Sequence, residues 1–248
     1  MRVGFIGNTA LTYKGLRLAA SYGYTIPYVY GLSPENLNRK VGKYDLRSYC
    51  DHNDIVYYDD EDWRSIESWS VDYVIELGDS RIIPKKILED ITVIGNHGAI
   101  LPRVQGAASL VWGRMLNNGE WGASLMELNE VVDNGDIIAT EPVTYSSDIS
   151  MQGFVDLCDD ATIKCLQRYF DGDYEKKSNE KWHLKVRKGV DSEKAVKILE
   201  NSLYNDINVY MPPRTEEDGI LKGQWSDGFK VNFKKSLAKP YPPWTKAP

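Results

Sequence analysis

Apolar and polar positions along the first hundred residues alternate between short β-rich runs and stretches of helical spacing. That alternation predicts a parallel sheet with helices packed on its faces. Strands are expected at about 2–7, 25–30, 54–58, 72–77 and 91–95, where Val, Ile and Tyr concentrate. Between the first two, Thr12 is placed to cap a helix whose Leu16, Ala19 and Ala20 share one face, and Gly23 suits its left-handed stop. The acidic run Asp59-Asp60-Glu61-Asp62 favours the start of a helix over 61–69 through the helix dipole.

After residue 100 the pattern predicts a helix at 107–116 and two strands, 122–128 and 136–143, which hold the segment Asn129 to Gly135 between them. A loop fixed by two strands is a good seat for a catalytic group. Ser150 then caps a helix of 151–170, in which Phe154, Leu157, Cys158, Ala161 and Cys165 recur at helical spacing and read as core. Beyond about residue 180 the character changes, and six of the eleven prolines fall between Pro212 and Pro248. The expected organisation is therefore a main domain, 1–183, followed by a small appendage, 184–248. The appendage should carry a helix at 192–204 and a hairpin whose tight turn is Asp227-Gly228, between 220–225 and 229–233. Trp225 and Trp244 are expected to pack on the main domain.

Composition narrows the class. With 42% hydrophobic and 27% charged residues the chain is globular in type. A formal charge of −6 argues against general affinity for nucleic acid, which requires cations to displace counterions from phosphate. The three cysteines, Cys50, Cys158 and Cys165, are odd in number and lack metal-ligand spacing, so reduced thiols, a cytoplasmic setting and no metal are expected. No apolar run approaches the ~18 residues needed to cross a bilayer, and no export segment is expected.

Only three histidines occur, His52, His97 and His183. His97 follows the apolar run Ile91-Thr92-Val93-Ile94 and lies where the carboxyl end of a strand is expected, the usual place for ligand sites in open α/β sheets. Asp133 sits 36 positions later in Asp133-Asn134-Gly135-Asp136-Ile137. An imidazole moves a proton near neutral pH, and a neighbouring carboxylate orients it and favours its charged form.

The segment from Asn96 to Thr140 resembles the folate-dependent formyltransferases. The likeness rests on several elements in order: His97 with Leu101-Pro102, Gln105-Gly106-Ala107-Ala108, Gly122-Ala123-Ser124, and the Asp133 motif. A weaker likeness extends over residues 1–170 and includes Gly78-Asp79-Ser80-Arg81-Ile82-Ile83-Pro84, similar to the family's folate-side loop. The resemblance implies an α/β, Rossmann-like, mostly parallel sheet of the formyltransferase fold, with N10-formyltetrahydrofolate as formyl donor. It implies that His97, Asp133 and Asn96 are catalytic. It further assigns Asp79, Ser80, Arg81, Ile82, Val131, Val132 and Asn134 to the folate, and Gly98, Gln105 and Gly106 to the acceptor. One departure stands out: the family's asparagine falls two positions before the histidine, where this chain has Gly95, while Asn96 is adjacent to it. Neighbouring strand residues face opposite ways, so Asn96 would need a bulge at Gly95 to be re-aimed.

The size of the chain, its short tail and Met211-Pro212-Pro213 resemble most the sugar N-formyltransferases, which implies a nucleotide-linked amino sugar as acceptor, a dTDP-4-amino-4,6-dideoxyhexose for O-antigen synthesis being the specific expectation. Glycinamide ribonucleotide ranks second, because Met126 stands where that enzyme carries a histidine, and transfer RNA is disfavoured by charge. Relatives of this kind form homodimers, and the expected hairpin offers an edge for pairing. The competing reading is a non-catalytic binding module that has kept the fold.

Overall fold

The computed structural model describes residues 1–39, 42–59, 63–106, 109–116, 119–179, 184–186 and 207–209. In chain order its strands are β1 (Val3–Ile6), β2 (Tyr28–Tyr30), β3 (Val56–Tyr58), β4 (Tyr73–Glu76), β5 (Val93–His97), β6 (Val104–Gln105), β7 (Glu120–Glu127), β8 (Ile137–Thr144), β9 (Leu184–Val186) and β10 (Ile207–Val209). The helices are α1 (Ala10–Ser21), α2 (Pro34–Arg39), α3 (Arg47–His52), α4 (Lys85–Asp90), α5 (Ser109–Leu116) and α6 (Met151–Phe170).

Seven strands make one sheet in the order β3-β2-β1-β4-β5-β7-β8, parallel from β3 to β5 and antiparallel across the last two pairings. This is the expected mostly parallel α/β sheet. Period-2 alternation divides its buried side chains between two layers. Val3, Phe5, Ile75 and Ile94 pack with Leu16 and Ala19 of α1 and Cys165 and Leu166 of α6. On the other side Ile6, Val74 and Val93 pack with Ile66, Ile83 and Ile87 of α4.

Strand order reverses between β1 and β4, the switch point where such sheets leave a crevice. Close backbone approach makes this crevice narrow. Gly7 takes φ +150, and a Cβ there would overlap the carbonyl oxygen of Leu77.

Helix α6 begins and ends where the pattern places it, with the Ser150 hydroxyl accepting from Gly153 N–H. Other boundaries differ. Helix α1 starts earlier, at Ala10, and Thr12 is its third residue instead of its cap. Its hydroxyl accepts from Thr9 N–H and donates to Leu77 O at 2.6 Å, so it ties the helix start to β4. Over 61–69 only a single 3-10 turn, Ile66–Ser68, is seen among the described residues, a Ser-rich stretch of weak helix propensity. Strand β5 runs on to His97, two residues past its expected end. The expected helix at 192–204, the Asp227-Gly228 hairpin, Trp225 and Trp244 lie outside the described residues. All three cysteines are buried, as their reading as small apolar side chains requires.

Asp159 on α6 is 9% exposed. Burial pushes its carboxyl from the ordinary 3.8 up to about 7, with Asp156 and Asp160 adding to the shift and Lys14 opposing it. The folded chain then holds a proton that the unfolded chain releases. Asp159 therefore favours folding fully below about pH 4 and loses that contribution as pH rises through about 7. Asp159→Asn is expected to leave stability near pH 4 almost unchanged and to raise it at pH 8 by about 1–4 kcal/mol. Urea midpoints at the two pH values check this, and equal gains at both would contradict it.

Candidate active site

Strand β7 runs back along β5, with Ser124 opposite His97, Leu125 opposite Asn96 and Glu127 opposite Ile94. Alternation puts Val93, Gly95 and His97 on one face of β5, and Ile94 and Asn96 on the other. The connection from β7 to β8 folds over the first of these faces. A Cβ at Gly95 would overlap the Leu128 side chain, so the bare backbone at Gly95 lets the connection lie against the strand.

The fold-back delivers Asp133 to His97. Its Oδ1 lies 3.3 Å from His97 Nδ1, and the two side chains are 12% and 7% exposed. The other carboxylate oxygen accepts from Gly106 N–H at 2.7 Å. His97 Nε2 faces the carbonyl oxygen of Val104 at 3.0 Å. Both partners of the ring are acceptors, so both contacts are satisfied together only when each ring nitrogen carries a proton. The arrangement can hold a proton taken from a neighbouring group, away from bulk water.

Asp133 has φ +54, in the left-handed region that Asp tolerates better than most residues. Around it Val131 N–H donates to Asn129 Oδ1, Asn134 N–H to Val131 O, and Asn129 Nδ2 to Asn134 O. Val131 and Val132 are left exposed at 55% and 59%.

The structure brings Gln105 and Gly106 beside the pair. Gln105 is buried, and its Nε2 has no hydrogen-bond partner among the described residues. Gly98 anchors the turn after His97, its carbonyl accepting from Trp121 Nε1 at 2.7 Å. The turn passes through a cis Leu101-Pro102 peptide. Asn96 does not join the pair: its Oδ1 accepts from Gly78 N–H at 3.0 Å. The bulge expected at Gly95 is also missing, because pairing is regular from Ile94 to His97 and the irregularity falls at Leu125/Met126 instead.

In the loop after β4 the charged residues turn inward. Asp79, with a side chain 1% exposed, accepts from Asn8 Nδ2, Arg81 N–H and the Arg81 guanidinium. That guanidinium lies 4.8 Å from the ring centroids of both Tyr30 and Trp63. Ser80 is exposed, and Ile82 is 70% exposed. Lys85, just past this loop, pairs with Glu130 at 2.9 Å and so joins it to the Asp133 loop. Sequence reasoning missed this ion pair, the aromatic seat of Arg81, and Asn179. Each depends on residues far apart in the chain, and no local pattern signals them.

Among the described residues no group of three or more His, Cys, Asp or Glu side chains is placed to hold a metal ion, and no helix is long and apolar enough to cross a membrane. A cleft of about 760 Å³ lies along the outer edge of β8. Its lining includes Leu101 and Pro102 but neither His97 nor Asp133, so the chemistry is better located by the side-chain pair than by this cavity.

Residues 39–156 match the family model described as formyl transferase. Among curated proteins, the methionyl-tRNA formyltransferase of Desulfotalea psychrophila is 31% identical over 91 residues, which cover 36% of this chain and 28% of that protein. That of Clostridioides difficile is 27% identical over 162 residues, or 60% and 52%. The chain thus spans about half or less of the length of these relatives. Among solved structures, a sugar N-formyltransferase from a Shewanella species superposes with TM-score 0.65 at 12% identity, covering 96% of this chain and 88% of that one. At that identity the likeness is one of fold.

Ser124, fully buried, holds the turn that follows His97: its hydroxyl accepts from Leu101 N–H at 2.8 Å and donates to Ala99 O at 2.7 Å. Ser124→Ala leaves a buried donor and a buried acceptor unpaired. It is expected to cost about 1–3 kcal/mol of stability in urea unfolding, and a loss below a few tenths would show that the turn is held elsewhere.

Proposed function

We propose that this chain, whose residues 39–156 match the formyl transferase family model, moves a formyl group from N10-formyltetrahydrofolate to the amine of a nucleoside-diphosphate-linked amino sugar. The observation that carries the reading is the contact of His97 with Asp133, secluded from water and braced by Gly106 N–H. An attacking amine must give up a proton as its nitrogen bonds the formyl carbon. His97 takes up that proton and returns it to N10 of the folate as the bond from the formyl carbon to N10 breaks, with Asp133 orienting the ring and balancing its charge.

The donor, when bound, supplies the activated formyl group. Ile82 on one loop and Val131 and Val132 on the other are large aliphatic side chains left exposed, and the Lys85 to Glu130 pair joins the two loops. Such apolar walls suit a flat heteroaromatic ring, while Ser80, Asn134 and backbone groups meet its polar edge. Asp79 and Arg81 hold the shape of the first loop. Asn96, on the opposite face of β5, accepts from Gly78 N–H through its carbonyl oxygen and so steadies the start of that loop. Gly98, Gln105 and Gly106 line the acceptor side.

The acceptor class is supported by the fold neighbours, among them an N-formyltransferase from Helicobacter canadensis in complex with folinic acid and dTDP-3-aminofucose. It has TM-score 0.65 and 12% identity, over 95% of this chain and 80% of that one. A dTDP-4-amino-4,6-dideoxyglucose for O-antigen or lipopolysaccharide synthesis, a cytoplasmic setting and a homodimer complete the proposal. The curated relatives favour one competing acceptor, methionyl-tRNA, against which the formal charge of −6 argues.

Incubation with N10-formyltetrahydrofolate and a panel of nucleotide-linked amino sugars, glycinamide ribonucleotide and methionyl-tRNA should release tetrahydrofolate only with an amino sugar. Release with none of them would favour a binding module. With the active acceptor, His97→Ala and Asp133→Ala should each lower kcat by ~10²–10⁴-fold, and near-parental turnover in either removes that residue from the mechanism.

A further inference from the structure

We infer that Asn179 is a positioning residue for Asp133, holding from outside the loop the carboxylate that faces His97. The inference rests on the formyl-transfer reading for its functional half and on geometry for the rest.

Asn179 is 6% exposed. Its Nδ2 donates to the carbonyl of Asp133 at 2.9 Å and to that of Gly135 at 3.2 Å. One amide group thus gathers the two carbonyls that flank Asn134, and the backbone of 133–135 curls around it. This is the stretch where Asp133 takes its positive φ. A residue in that region stays there when its surroundings over-determine it, and Asn179 supplies that restraint from a point 46 residues further along the chain.

Asn179 is itself fixed. After α6 ends at Phe170, residues 171–179 return along the sheet, and Lys177 exchanges both backbone hydrogen bonds with Ile137, each 2.8 Å. Asn179 follows two residues later, so its amide is anchored to the first residue of β8, just beyond the loop that it holds. Among the described residues its own Oδ1 has no hydrogen-bond partner. What the site uses is the pair of amide donors.

The Gly106 N–H reports on the carboxylate without any turnover, because it donates to Asp133 Oδ2. In Asn179→Ala its hydrogen exchange should quicken at least about tenfold, approaching that of Asp133→Ala, while the Leu101 amide on Ser124 keeps its protection. With the acceptor identified, kcat should fall ~10–10²-fold in Asn179→Ala, as small misplacements of a reacting group commonly cause. The same change made in Asp133→Ala should slow it no further, whereas a merely structural residue would add its own loss. Asn179→Ser, which keeps one shorter donor, should fall between, and it decides the matter where the alanine variant does not fold. Folded variants with parental Gly106 exchange, or with kcat within about twofold of the parent, overturn the inference. Should the parent transfer formyl to no acceptor, the functional reading fails, and Gly106 exchange alone decides whether Asn179 holds Asp133.

Discussion

A carboxylate can meet an imidazole 36 residues away only if the intervening chain turns back on itself, and here it does so over a position without a side chain. Gly95 lies between Val93 and His97 on one face of β5, and Leu128 packs where a Cβ would stand. A larger residue there would have to displace the Leu128 side chain, through which the β7–β8 connection lies against the strand. The glycine that departs from the family pattern is thus the one that closes the site. Closure also keeps water from the contact, the two side chains being 7% and 12% exposed.

The two loops beside the pair divide their labour by polarity. Charges that would compete for solvent are turned inward: Asp79 onto Asn8 and Arg81, and Arg81 onto Tyr30 and Trp63. Aliphatic groups that would ordinarily be buried, Ile82, Val131 and Val132, are turned outward. The proposed folate site draws on this inversion, since exposed aliphatic groups are what an apolar ring would cover. The Lys85 to Glu130 pair that joins the loops is 62% and 59% exposed, and exposed pairs contribute little to stability. The walls are therefore linked without being locked.

The sheet was legible because buried parallel strands need continuous apolar runs, and β1, β4 and β5 supply them. Helix α6 was legible to the residue because Ser150 is a cap and the apolar stripe behind it has one period. Helices α2 and α3, six residues each, fill a stretch the pattern left blank, being too short to show a period. Of the site, His97 and Asp133 were legible as members of an ordered set of motifs. Their pairing was expected from the same motifs, while the β7 register and the bare Gly95 that allow it carry no local signal. Asn96 shows the limit most clearly: residue type suggested a partner for His97, while alternation along a regular strand sends its side chain to Gly78.

The second acceptor at the imidazole draws the far end of the described chain into the site. Val104 O faces His97 Nε2, and Gly106 N–H, pointing the same way two residues on, holds Asp133. Both belong to the segment of β6, whose Val104 and Gln105 pair with Ile207 and Asn208 of β10, itself paired with β9. Alternation of backbone groups along a strand allows this double use: Gln105 serves the small sheet while its neighbours serve the site. Backbone pairing from beyond residue 183 thus reaches the segment from which His97 and Asp133 are braced.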